Sequence, residues 1–165
     1  YQTLKNGQFS LTRPIPAPPF FTSTLTNAAR SEAYGVEVEM RWRPAPAFII
    51  DGSVAYLHST FTDFRASDPL DARLFAPGAD PNALLQDLSG NDTRMSPRWS
   101  INLNPSYEFG LGNGGSLTLA SNFAYRSKQY HTEFNDDRLA QDGYVQLDAN
   151  LLYAHPGERF TANLW

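Results

Sequence analysis

The chain has 165 residues, a hydrophobic fraction of 41%, a mean hydropathy of −0.43 and a net charge of −4, with no cysteine. Disulfides, thiolate metal sites and cysteine nucleophiles are thereby excluded, and the acidic balance gives no footing for nucleic acid. There is no run of about 18 apolar residues, so a transmembrane helix is excluded as well.

Seven strands are expected, all read from the period-2 alternation that sends successive side chains to opposite faces. Tyr1 to Leu11 is the least regular, with Tyr1, Leu4 and Phe9 out of strict alternation. Ala28 to Arg43 sets Tyr34, Val36, Val38, Met40 and Trp42 against Glu37, Glu39 and Arg41. Ala47 to Thr62 sets Ile50, Val54 and Tyr56 against Asp51, Ser53 and Ser59. Arg98 to Phe109 sets Ile101, Leu103, Tyr107 and Phe109 against Asn102, Asn104 and Glu108. Gly115 to Ser127, Gly143 to Ala154 and Arg159 to Trp165 repeat the pattern. In each strand the polar set is well populated through mid-strand, which suits lipid on one side and water on the other. Such a wall shows lipid only every second residue, so a low mean hydropathy is compatible with it. Pro105 is the exception in mid-strand. It removes a ladder donor and predicts either a bulge or a weak point in the wall.

The connections alternate in length. Arg43 to Ala47, Gly110 to Gly115 and His155 to Arg159 are short and turn-like, whereas Ser10 to Asn27, Asp63 to Pro97 and Ser127 to Asp142 are long. A short helix fits within Asp80 to Leu88, and Pro69, Pro77 and Pro81 argue against a longer one. Long–short alternation is the rule of an up-and-down membrane barrel, with the short turns periplasmic and the long loops outside. Trp42, Phe109, Tyr153 and Phe160 then read as the periplasmic girdle, and Tyr34, Tyr56, Trp99 and Tyr125 as the outer one. The fold class expected is all-β, part of a large antiparallel up-and-down barrel. A soluble sandwich also alternates, but its strands average about 5–6 residues.

Several stretches carry a resemblance. Thr26 to Glu39 carries Tyr34-Gly35-Val36-Glu37, Phe61-Thr62-Asp63-Phe64 ends the next strand, Asp87-Leu88-Ser89-Gly90-Asn91 follows, and Ser96-Pro97-Arg98 opens a further strand. Gly115 to Leu119 and Tyr125 to Tyr130 continue in the same order. The chain resembles the β-barrel of TonB-dependent outer-membrane receptors over Thr26 to Trp165. That resemblance implies a 22-stranded bacterial outer-membrane barrel with an N-terminal plug in its lumen. It further implies uptake of a scarce nutrient, most often a ferric siderophore, driven by the inner-membrane TonB complex. Residues 1–165 would be a barrel fragment of about seven strands, with plug, TonB box and closing strand outside it. The partners implied are outer-membrane lipid, the plug, the TonB complex and a small-molecule substrate such as an iron chelate. No cofactor is expected.

Within that frame Glu37, Glu39 and Arg41 point to the lumen and are candidates to meet the plug; the bland alternative is that they solvate a polar lumen. Arg126, Lys128, Tyr130 and His131 run from the lumen rim into a long connection. A guanidinium with aromatics suits an anionic, catechol-like or sugar ligand. His131, Glu133, Asp136 and Asp137 form a His/carboxylate cluster, read as solvated loop charge, as are Asp63, Asp68, Asp71, Asp80 and Asp87. No metal site and no catalytic residue is expected. His58 and Ser59 are adjacent on a strand, so they face opposite ways and cannot pair as base and nucleophile. Two other readings stay open: a small outer-membrane barrel with an adhesive or structural role, and a soluble carbohydrate-binding sandwich.

Overall fold

The structure, a computed structural model, describes residues 2–14, 21–76 and 80–165. The expected strand start at Tyr1, the interior of the Pro-rich segment between Pro14 and Phe21, and Pro77 lie outside the described residues. Seven strands form one antiparallel sheet in strict chain order. They are β1 (Gln2–Pro14), β2 (Phe21–Ala45), β3 (Phe48–Asp63), β4 (Trp99–Gly110), β5 (Ser116–Arg126), β6 (Tyr144–Ala154) and β7 (Thr161–Leu164). The sheet is open: β1 and β7 each have a neighbour on one side only among the described residues. The described residues contain no helix long and apolar enough to cross a membrane.

The segment Ser10 to Asn27, expected as a long loop, is mostly strand. β1 and β2 pair from Gln2↔Ala33 to Pro14↔Phe21, with register irregularities around Gly7. The run Thr22-Ser23-Thr24-Leu25-Thr26 looks like loop by polarity, yet threonine is β-branched and favours strands. The irregularity near Gly7 accounts for the broken alternation of the first strand, because glycine in a strand commonly marks a bulge.

Pro105 is no bulge. β3 and β4 hold an unbroken register from Phe48↔Tyr107 through Ile50↔Pro105 to Tyr56↔Trp99. On the other side, the pairs of Asn104 and Pro105 with β5 drop out, and the register resumes unchanged at Ser106↔Ala120. A missing N–H that would have faced β5 produces this gap without moving the strand.

The chain divides into two compact units. The first, called here the loop unit, comprises residues 1–34, 58–96 and 129–141. The second, the wall unit, comprises residues 35–57, 97–128 and 142–165. All three short turns belong to the wall unit. One is a turn at Pro46–Ala47, where the Arg43 guanidinium holds the Pro46 carbonyl. Another is closed by Gly114 N–H on Leu111 O, with Gly114 at φ +84°. The last contains Gly157 at φ +73°. Gly114 and Gly157 adopt a conformation that other residues rarely accept.

The packed core lies in the loop unit. Phe61, Phe64, Ala66 and Leu88 are buried together, with Phe134 packed against them. The wall unit contributes no buried large apolar side chain among the described residues.

Candidate ligand-facing and plug-facing surfaces

The wall unit has one polar and one apolar face. On the polar face a row crosses five strands. Arg41 Nε lies 3.4 Å from Asp51 Oδ1, Asp51 stands opposite Asn104, and Asn122 Nδ2 donates to Asn104 Oδ1 at 2.6 Å. Asn122 in turn stands opposite Asp148, which accepts from Gln146 Nε2 at 3.1 Å. A second row runs beside it. Asn102 Nδ2 donates to Ser53 Oγ at 3.2 Å, and Arg126 Nη1 donates to Asn102 Oδ1 at 3.4 Å and to the Tyr125 carbonyl at 3.1 Å. Arg41 and Asp51 are both well exposed, so their pairing contributes little stability. What the rows provide is a continuous field of donors and acceptors.

Apolar residues occupy the other face and meet water with no cover. Val36 is 66% exposed, Leu147 69%, and Val38, Met40, Trp42, Tyr107 and Leu119 are also exposed. Leu103, Phe123 and Leu151 are half-buried instead, because neighbours on the same face lean on them. Leu103, for example, shares the space above Gly52 with Met40. Tyr56 and Trp99 stand opposite each other with ring centroids 4.9 Å apart, and Tyr107 and Phe109 lie 4.4 Å apart.

Glu39 and Arg41 line a shallow groove on the polar face with Asp51, Ser53 and Asn104. Glu37 is exposed on the same strand. The four ligand candidates divide between the units. Arg126, held by Asn102, and the exposed Lys128 belong to the wall unit. Tyr130 and His131 belong to the loop unit. Tyr130 sits in a two-residue strand, Gln129–Tyr130, paired with Ala140–Gln141, and its carbonyl accepts from Met95 N. His131 is exposed, and its N–H donates to the Leu139 carbonyl at 3.0 Å.

Most of the acidic residues of the long connections are not idle solvated charge, although Asp63 is exposed as expected. Glu133 is only 8% exposed and lies 3.7 Å from Arg94 Nε. Asp71, Asp80 and Asp136 each cap a 3-10 turn by accepting from the backbone N–H two residues on. Asp68 and Asp87 accept from Leu70 N and Ser89 N in the same way. The Arg138 side chain also grips Asp136, and together with its backbone N–H draws the carboxyl down to about 2 from the ordinary 3.8. Arg73 lowers Asp71 by the same means. The signal was in the sequence as Asp-x-Arg at 71/73 and at 136/138, a spacing that brings a carboxylate under both a backbone N–H and a guanidinium. Among the described residues no group of three His, Asp or Glu side chains is placed to hold a metal ion.

The two family-like stretches build the loop core. Phe61 N donates to Asn91 O, Gly90 N to Phe61 O, and Leu88 N to Phe64 O. Gly90, at φ +90°, makes the turn within the second of these stretches. Residues 61–66 and 86–91 thus fold against each other around an interior of their own, where the sequence suggests a loop with at most a short helix, found as the 3-10 turn Pro81–Leu84.

The family model described as TonB dependent receptor-like, beta-barrel, matches residues 1–165. No curated protein matches the chain. Among solved structures, the ferric yersiniabactin uptake receptor FyuA from Yersinia pestis is similar at 23% identity and a TM-score of 0.58, over 79% of this chain and 19% of that one. BauA, the ferric preacinetobactin receptor from Acinetobacter baumannii, is similar at 18% identity and a TM-score of 0.60, over 94% of this chain and 20% of that one. The chain therefore spans about a fifth of the length of these two receptors, and at such identities the likeness is one of fold.

Proposed function

This chain belongs to the TonB-dependent receptor β-barrel family, and on that premise we propose that it builds part of the outer-membrane wall of an active-transport receptor for a ferric siderophore. The observation that carries the membrane reading is the division of the wall unit into an uncovered apolar face and a continuous polar one. A bare apolar band of this extent suits hydrocarbon as its solvent, and the polar rows suit a water-filled lumen. The iron chelate is supported by the two similar receptors, whose names specify ferric yersiniabactin and ferric preacinetobactin.

In this reading residues 1–165 are one segment of the barrel, and the plug, the TonB contact and the remaining wall come from other parts of the receptor. The plug meets Glu37, Glu39 and Arg41. The long connections face the outside, where Arg126, Lys128, Tyr130 and His131 contact the ligand. The short turns face the periplasm. The chain carries no chemistry of its own; its role is binding and passage.

The test uses the intact receptor in cells stripped of their other iron-import routes, grown under iron limitation with a panel of purified ferric siderophores. At least one should restore growth, only while TonB is present, and Arg126→Ala with Lys128→Ala should reduce that uptake. If every siderophore fails while the receptor is present in the outer membrane, the reading is wrong.

A further inference from the structure

Two of the long connections share one interior. Phe134, from the later connection, packs against the core of Phe61, Phe64, Ala66 and Leu88 around the earlier one. Asn135 makes a reciprocal clasp on Asp92: Asp92 N donates to Asn135 Oδ1 at 2.7 Å, and Asn135 Nδ2 donates to the Asp92 carbonyl at 3.0 Å. Asn91 Nδ2 donates to the Glu133 carbonyl at 2.9 Å, and Met95 N to the Tyr130 carbonyl at 2.9 Å. The buried Glu133 carboxylate faces Arg94 of the other connection. A cavity of about 180 Å³ is walled from both sides, by Pro69, Leu70 and Arg94 and by Thr132, Phe134 and Leu139.

Among the described residues, the two non-glycine positions with positive φ are Met95 (+53°) and Asn135 (+51°), and both lie on this seam. Such conformations persist only where surrounding contacts over-determine them. Met95 N is held by the Tyr130 carbonyl of the opposite connection, and Asn135 is held both by the Thr132 carbonyl of its own connection and, more tightly, by Asp92 of the opposite one. Parting the connections would expose the phenyl rings, leave a buried carboxylate without its guanidinium, and free both backbones to relax.

We propose that the connections around Gln86–Ser96 and Gln129–Gln141 work as a single body, with Asn135 as its clasp, so that neither opens without the other. Whatever engages one of them is then felt by both. This differs from a set of independent flexible loops, in which each connection would respond alone.

The test is hydrogen exchange, read peptide by peptide, on the intact receptor in detergent. In the native protein, peptides covering 86–96 and 129–141 should exchange slowly and through a common opening. Asn135→Gly removes the clasp without penalising the positive φ. It should speed exchange roughly tenfold in both peptides, the scale of one or two lost hydrogen bonds, while peptides from β4 and β5 stay unchanged and report an intact wall. Met95 and His131 are both exposed and line the same surface dip across the seam. In an Asn135→Gly background that also carries Met95→Cys and His131→Cys, a short thiol cross-linker should restore slow exchange to both peptides. A rise confined to 129–141, no rise in either peptide, or rescue of one side only would overturn the proposal.

Discussion

Asn122 donates from Nδ2 to Asn104 Oδ1 at 2.6 Å, on the polar face, at the point where the backbone ladder between β4 and β5 is interrupted by Pro105. The side chains thus tie the two strands where the main chain cannot. A neutral hydrogen bond contributes about 1 kcal/mol net. Asn104→Ala should therefore lower the unfolding free energy of the intact receptor by about 1 kcal/mol in urea titrations. Pro105→Ala restores a ladder donor worth a similar amount but loosens the unfolded chain by about 0.4–1 kcal/mol. It should come out near neutral alone. In the Asn104→Ala background it should recover part of the loss. A Pro105→Ala variant as unstable as Asn104→Ala would contradict this account of the gap.

Gly35 leaves no room for a side chain. A Cβ built there falls 2.2 Å from the Tyr56 carbonyl oxygen and 3.3 Å from Leu57 Cα, both backbone atoms of the neighbouring strand. Gly35→Ala must push β2 and β3 apart, at a cost of about 1–3 kcal/mol or a failure of assembly. Gly112, with nothing within 4 Å of a built Cβ, serves as the contrast. Gly112→Ala should stay within about 0.5 kcal/mol of the native receptor. Resistance of the folded receptor to unfolding in detergent separates the two, and equal behaviour would refute the clash.

The two faces of β6 should differ in labelling by water-soluble thiol reagents. Leu147 is on the apolar face and 69% exposed, and Asp148 follows it on the polar face. In the intact receptor in lipid, Leu147→Cys should resist a charged maleimide and be reached by a membrane-dissolved quencher. Asp148→Cys should show the opposite pattern. Swapped reactivities would mean that the faces have been assigned the wrong way round.

Acid should loosen the later connection at its Asp136 cap. Arg138 holds this carboxyl at about 2, below the ordinary 3.8, so the folded form binds its proton less readily than the unfolded one. The contribution is complete above about 3.8 and is lost as pH falls through about 2. Protection of the Arg138 amide, corrected for intrinsic exchange, should hold at pH 5 and fall between pH 4 and 2 (about the two pKa values). Asp136→Asn should flatten that dependence. Because the cap and its guanidinium lie within one short turn of the loop unit, the effect should be local and leave the wall untouched.

Period-2 alternation was sufficient to find the seven strands, and the sense of the faces from Tyr34 onward, because β2 to β6 have one wet and one apolar side for most of their length. It missed the early part of β2, where threonine and serine read as loop by polarity although they pair with β1 as far as Phe21. It also missed the loop core. Phe64 and Leu88 are separated by more than twenty residues of non-periodic sequence, and nothing local says that they meet. The carboxylates of the connections were visible as charge, but their burial and capping depend on partners such as Arg94 for Glu133, supplied from a distant stretch. Of the candidate site residues, the polar face of Glu39 and Arg41 was legible from the strand period alone. The division of Arg126 and Lys128 from Tyr130 and His131 was not, because it follows from how each unit packs.

The placement of the apolar core bears on how this kind of sequence drifts. A wall position asks for membership of a class: any lipid-compatible side chain serves at Val38 or Leu147, and any hydrophilic one at Asn122. Phe61, Phe64 and Leu88 fill a closed interior whose shape admits few substitutes. The recognisable words of the chain, Phe61-Thr62-Asp63-Phe64 and Asp87-Leu88-Ser89-Gly90-Asn91, spell that interior. Kinship in such a protein should therefore be written in that small knot more than in the strands themselves. A descendant could replace nearly every lipid-facing letter and still be identified by the knot.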